Sequence, residues 1–248
     1  MHLETLAHGH SFLHRLDPRS KLAATIGLSL AVALGRGLLA ELTALALGLA
    51  GVVWARLPWR ELVKRLAPVN GFAAMMWLLL PWRLGDAGHL DLGLDPQGLG
   101  LAADITLKAN AIMLLLLALV ATSPVNHVFH ALAHWHAPDK LIHLFLFFYR
   151  YLHVLHREYH RLSLALKARA FIPRTDLHTY RTYAWLVGMI LVRSYDRAQR
   201  VYQAMLCRGF SGTFWLLDHF HWDQRDNLFL VGAGLASLAL AALSLTGY

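Results

Sequence analysis

Cysteine is almost absent: Cys207 stands alone among 248 residues. An internal disulfide is therefore excluded, and so is a cysteine-based zinc centre built within one chain. Charge is thin as well, at 15% of residues, where ordinary soluble domains carry about a quarter. The acidic side is the scarcer, with 15 Asp and Glu against 23 Lys and Arg and a formal charge of +8. No Gly-x-x-x-x-Gly-Lys-Ser/Thr stretch occurs, so the backbone cradle that P-loop proteins wrap around phosphate is missing. No two of the 16 histidines are adjacent. The first 21 residues hold Glu4, Arg15, Asp17, Arg19 and Lys21, with no apolar core leading to a small-residue cleavage site. A removable leader is not expected, and the N-terminus is expected to stay in the cytoplasm.

What is present in excess is apolar, at 57% of residues and a mean hydropathy of +0.44. The excess is gathered into runs at 22–34, 38–55, 67–80, 101–121 and 227–245. Crossing the hydrocarbon takes about 20 apolar residues in a helix, so these runs read as membrane segments. The first run and the stretch 183–192 are short enough to be tilted or partly embedded, which leaves four to six crossings. The Gly-, Asp- and Pro-rich residues 83–100 read as a loop, and 58–65, with Trp59 and three basic residues, as an amphipathic interfacial piece. With the N-terminus inside and the crossings alternating, the basic clusters at 56–65 and 140–225 fall on the cytoplasmic side, as Lys and Arg retention requires. The sequence thus describes an all-α polytopic membrane protein in three parts: membrane helices over 1–139, an amphipathic cytoplasmic region over 140–224, and a last membrane helix over 225–248. Lipid is the expected surroundings. The basic block, which would point to nucleic acid in a soluble chain, points here to a cytoplasmic segment.

That block contains a repeat. Residues 165–171 (Ala-Leu-Lys-Ala-Arg-Ala-Phe) and 204–210 (Ala-Met-Leu-Cys-Arg-Gly-Phe) share Ala-x-x-x-Arg-[Ala/Gly]-Phe at an offset of 39 residues, which also relates Arg161 to Arg200. Pro173 follows one copy, and Gly209 with Gly212 closes the other, so Arg169 and Arg208 each fall in the last turn of a helix. An arginine there complements the helix dipole and its free carbonyls. Two matched copies flanked by small residues fit a second reading, in which each guanidinium pairs with a carboxylate of one of two equivalent partners. Between the copies, Ala198, Val201, Tyr202 and Met205 share one helix face, with Arg193, Arg197, Arg200 and Arg208 mostly on the other. Asp17-Pro18 reads as an N-cap followed by proline at the first helical position, with Arg19 and Lys21 either as cytoplasmic anchors or packed against the later helices.

These residues resemble the transmembrane T component of energy-coupling factor transporters, the EcfT/CbiQ family, in its cobalt- and nickel-type branch. Ala168-Arg169-Ala170 and Cys207-Arg208-Gly209 are similar to the family's two Ala-Arg-Gly coupling motifs, with Ala170 in place of the usual glycine and Cys207 in place of alanine. Leu16-Asp17-Pro18-Arg19-Ser20-Lys21 matches its N-terminal Asp-Pro-Arg-x-Lys signature. Tyr149-Arg150-Tyr151 with Glu158 fits the approach to the first motif. The resemblance implies a non-catalytic subunit of the bacterial inner membrane. Two ATP-binding-cassette ATPases would carry the ATP and magnesium and hold the helix ends, while this chain binds no cofactor of its own. A separate substrate-binding membrane subunit would be moved to release cobalt or nickel inside.

The histidines offer a rival. His130-x3-His134-x-His136, His153-x2-His156-x3-His160 and His219-x-His221 place imidazoles at metal-ligand spacings, the pattern of a histidine-box membrane di-iron oxygenase or desaturase. The closing His-x2-His-His box of those enzymes is missing, and in His156-Arg-Glu158-Tyr-His160 the glutamate is not beside the first histidine as a zinc protease needs. Interfacial histidines without a role, or a few that sense the transported metal, are the milder readings. Asp104, Lys108 and Asn110 interrupt the fourth run at a depth where charge is expensive. Asp104 and Lys108, four apart, are placed to pair with each other or to face a partner subunit.

Overall fold

The structure, a computed structural model, describes residues 11–80, 82–84, 90–94, 96–135, 138–212 and 223–246. The elements run α1 (Phe12–Arg15), α2 (Pro18–Leu34), α3 (Leu38–Ala55), α4 (Trp59–Leu79), β1 (Trp82–Leu84), β2 (Leu90–Leu94), α5 (Pro96–Leu119), α6 (Val125–His134), α7 (Asp139–Ala168), α8 (Leu177–Cys207) and α9 (Gln224–Thr246). Among the described residues the fold is all-α apart from one small ribbon, and it divides into two compact units. Residues 136–219 form one; residues 2–135 and 220–248 form the other.

In the larger unit α5 lies against α2, α3 and α4, and α9 lies against α2 and α3. Ala111 and Ala118 are fully buried on α5, and Gly48 and Gly51 face them from α3. An added Cβ at Gly48 would stand 2.9 Å from Leu114 Cβ and 3.3 Å from the Ala111 carbonyl oxygen. The two backbones approach so closely because these positions carry almost no side chain, the way helices associate where lipid removes the hydrophobic drive. Leu28, Val32, Leu115 and Leu240 fill the space between α2, α5 and α9.

The outside of this unit is also apolar. Leu228, Val231, Leu235 and Leu238 form an exposed stripe along α9, and Leu38, Leu39, Val53 and Trp54 stand out from α3. A soluble protein rarely shows contiguous apolar surface of this extent; a lipid-facing helix does. Among the described residues, three helices are long and apolar enough to cross a membrane: Leu38–Ala55, Gln97–Leu119 and Gln224–Ser244.

Several local expectations change. Residues 83–100 are not simply a loop: β1 and β2 pair antiparallel, Trp82 opposite Leu94 and Leu84 opposite Leu90, with a bulge between. The helix that follows starts five residues earlier than the apolar run, at Pro96. The amphipathic piece and the third apolar run are one continuous helix, α4 (Trp59–Leu79), with Pro68 inside it. Lys108 does not turn to Asp104. Its Nζ lies 3.5 Å from Oε1 of Glu41, whose side chain is 2% exposed on α3. Asn110 donates to Asn70 on α4 at 2.9 Å, so polar groups on α5 find partners on the helices beside it.

In the smaller unit α7 and α8 form a hairpin joined through residues 169–176. Phe171 closes it, lying edge-on to Tyr183 and tilted against His178 at 6.1 and 6.2 Å. The Arg174 N–H donates to Thr179 Oγ1 at 3.1 Å, ordering the start of α8.

Candidate functional site

The two repeat copies end their helices in the same way. At the end of α7, the Ala170 N–H donates to the Lys167 carbonyl at 3.0 Å and the Phe171 N–H to the Leu166 carbonyl at 3.1 Å. At the end of α8, the Gly209 N–H donates to the Leu206 carbonyl at 3.0 Å and the Phe210 N–H to the Met205 carbonyl at 3.1 Å. Both are Schellman closures, which need a left-handed residue just past the cap and favour an apolar residue after it. Ala170 at φ 58° and Gly209 at φ 79° supply the first; Phe171 and Phe210 supply the second. The repeat is therefore the sequence of a helix stop, with the arginine at the cap itself.

Arg169 and Arg208 hold cap backbone angles of φ −87°, ψ 18° and φ −93°, ψ 10°. Both are exposed, as are Ala168, Ala170, Cys207 and Gly209 around them. No carboxylate among the described residues pairs with either guanidinium. Each end thus offers a rigid turn, small neighbours and an unused planar donor fork, the chemistry suited to a bidentate carboxylate.

Glu158 holds the hairpin at its middle. It accepts a close hydrogen bond from the Arg193 guanidinium, and Arg161 Nη1 lies 3.7 Å from its other oxygen. The Arg193 bond holds its carboxyl below the usual carboxylate range, and Arg161 and Arg197 add in the same direction. Beyond this pair α7 and α8 enclose an apolar groove of about 760 Å³, lined by Leu144, Phe147, Phe148 and Tyr151 on α7 and by Ala198, Val201, Tyr202 and Met205 on α8. The apolar stripe of α8 thus faces α7. Arg193 and Arg197 line the groove too, rather than lying opposite it. Arg150 is exposed on α7, with no partner among the described residues.

The N-terminal signature lies in the larger unit. Asp17 caps α2, its Oδ1 accepting from the Arg19 N–H at 2.9 Å, with Pro18 at the first helical position. Arg19 Nε is 4.0 Å from the same oxygen. Lys21 is not a solvated anchor: it is 1% exposed and donates to Ser123 Oγ at 2.9 Å. Asp226, on α9, accepts the Asp17 N–H at 2.8 Å. Neither Ser123 nor Asp226 was legible as a partner, because each lies more than 100 positions along the chain and local spacing carries no trace of it.

Among the described residues no three His, Cys, Asp or Glu side chains assemble to hold a metal ion. His153, His156 and His160 are exposed on α7. His130 and His134 lie on α6, while His136, His219 and His221 lie outside the described residues, as do residues 1–10.

Lipid-facing helices over a close-packed helical core, together with a long basic hairpin, define a polytopic α-helical membrane protein. Residues 9–216 match the CbiQ family, described as cobalt transport protein. The chain belongs to that family. It is similar to the cobalt transport protein CbiQ of Rhodobacter capsulatus, 30% identical over 121 residues that make up 49% of each chain. It is also similar to an uncharacterized protein of Methanocaldococcus jannaschii, 26% identical over 103 residues, 41% of this chain and 38% of that one. The chain thus spans about half the length of the first relative, and less of the second.

Proposed function

We propose that the chain is the transmembrane coupling subunit of an ATP-driven importer of the energy-coupling factor type, with cobalt or nickel ions as cargo. The observation that carries this reading is the pair of identical helix stops, each presenting an exposed arginine that pairs with no carboxylate among the described residues. Two like ATPase subunits would receive one helix end each. The carboxylate they offer would pair with Arg169 in one copy and Arg208 in the other. Closure of the ATPases on ATP would then draw the two ends along with them. Glu158 with Arg193 would keep the hairpin acting as one body, and a substrate-binding membrane subunit would take up the motion. ATP and magnesium would stay on the partners, since no phosphate cradle occurs in this chain. The metal carried is read from the family and from the name of the Rhodobacter relative.

The test is purification of the chain in mild detergent with its ATPase subunits, comparing the native form with Arg169→Glu plus Arg208→Glu. Each reversal sets a carboxylate against a carboxylate. Buried arginine anchors at interfaces are worth about 2 kcal/mol or more, so ATPase retention should fall roughly thirtyfold per site. Cobalt(II) uptake should fall with it while the protein stays in the membrane. Full uptake by the double reversal with both ATPases still attached would refute the coupling role.

A further inference from the structure

The cluster around Lys21 is polar, buried and remote from the helix ends. Asp17, Ser20, Lys21, Ser123 and Asp226 are all buried, and together they join three places in the larger unit. One Asp226 oxygen accepts the Asp17 N–H at 2.8 Å, with Ser20 Oγ 3.5 Å away. The other accepts the Asp223 N–H at 3.1 Å. The N-termini of α2 and α9 therefore share one carboxylate, which the dipoles of both helices favour. Lys21 completes the cluster from the first turn of α2. Its ammonium donates to Ser123, in the turn that leads from α5 into α6 and onward along the chain to the α7–α8 hairpin.

Burying an ammonium and two carboxylates is costly, and an apolar set of the same volume usually serves stability as well or better. What the polar set adds is direction. The Lys21–Ser123 and Asp17–Asp226 bonds form together in one arrangement of α2, α9 and the Ser123 turn, and a shift of that turn takes from the buried ammonium its hydrogen-bond acceptor. We propose that Lys21 and Asp226 are positioning residues for coupling: they latch the Ser123 turn to the α2–α9 pair, so that force entering through the hairpin meets a fixed base. The inference rests on the coupling function proposed above. It assigns the Asp-Pro-Arg-x-Lys segment a mechanical task distinct from ATPase binding.

The experiment uses the complete transporter in liposomes, measuring ATP hydrolysis and cobalt(II) uptake on the same preparation. Ser123→Ala removes one bond of the latch and no charge. Lys21→Met with Asp226→Asn removes one charge of each sign while leaving an amide oxygen to accept the Asp17 N–H. Both should keep the ATPases and an unfolding midpoint within about 3 °C of the native protein. Uptake per ATP hydrolysed should nevertheless drop by about threefold to tenfold, the range of mutations that alter coupling away from the binding sites. Lys21→Arg, which keeps the charge and the donor, should retain most of the ratio. An unchanged ratio in both altered forms would overturn the proposal, as would a loss that merely follows a lowered unfolding midpoint. If the native chain retains no ATPase, the coupling function itself falls and the latch falls with it.

Discussion

Ala170 and Gly209 occupy equivalent positions with unequal comfort. Both are left-handed, at φ 58° and 79°, but only glycine takes that conformation without a Cβ meeting the backbone, and the difference is worth about 1 kcal/mol. Ala170→Gly should therefore raise the unfolding midpoint by a few degrees, and Gly209→Ala, which has open space around it, should lower it by a similar amount. A thermal melt in detergent reads both, and equal midpoints in the two forms would remove the strain argument. Glu158 gives a pH prediction. Its carboxyl is held below the ordinary range by Arg193, so the bond's contribution is complete above the unfolded carboxylate pKa of about 4.3. It is lost only as pH falls through the lower folded value. Hydrogen-exchange protection of the hairpin, corrected for intrinsic rate, should stay level from neutrality down to about pH 5 and decline in stronger acid. Glu158→Gln should show lower protection at neutrality and no further decline.

The helices themselves differ in how openly the sequence announced them. The stops of α7 and α8 were legible because a Schellman closure is local: cap, left-handed residue and apolar residue are consecutive. The membrane runs were legible because lipid demands long apolar stretches. The unity of α4 was hidden by its composition, since the basic first turns and Pro68 look like a break, and packing on α5 carries the helix through them. The ribbon of β1 and β2 was hidden in Gly- and Asp-rich sequence whose strands are only 3 and 5 residues long. The fit of α3 on α5 could be guessed from Gly48 and Gly51 only as small-residue packing, with no partner specified. The structure makes that fit testable. A methyl at Gly48 would come within 2.9 Å of Leu114 Cβ and 3.3 Å of a backbone carbonyl, so Gly48→Ala should destabilise the larger unit by about 1–3 kcal/mol. Leu114→Ala should not rescue it, because the atom in the way is the Cβ that alanine keeps. Rescue by Leu114→Ala would mean that the flexible end of Leu114, not the helix separation, sets the limit.

At the scale of the molecule, the arrangement of charge along the chain and the alternation of crossings have to agree. Asp17, Lys21 and Asp226 meet at one end of α2 and α9, while Gly35, Glu41 and Leu240 meet near the other. The ends of α2 and α9 therefore correspond, and both helices run in the same direction. Retention of Lys and Arg predicts a cytoplasmic position for residues 56–65 and, separately, for the basic hairpin sequence. On that prediction the turn at Arg36 and the β1–β2 ribbon are expected outside. Cys207 makes this measurable, since it is the sole cysteine and is exposed beside Arg208. A membrane-impermeant maleimide applied to intact cells should leave Cys207 unlabelled and label it once the membrane is opened. In a Cys207→Ser background, Arg36→Cys and Gly93→Cys should label in intact cells and Lys64→Cys should not. Labelling of Cys207 from outside would put Arg208 on the side where ATP is absent. No ATPase could then grip that helix end, whatever its geometry.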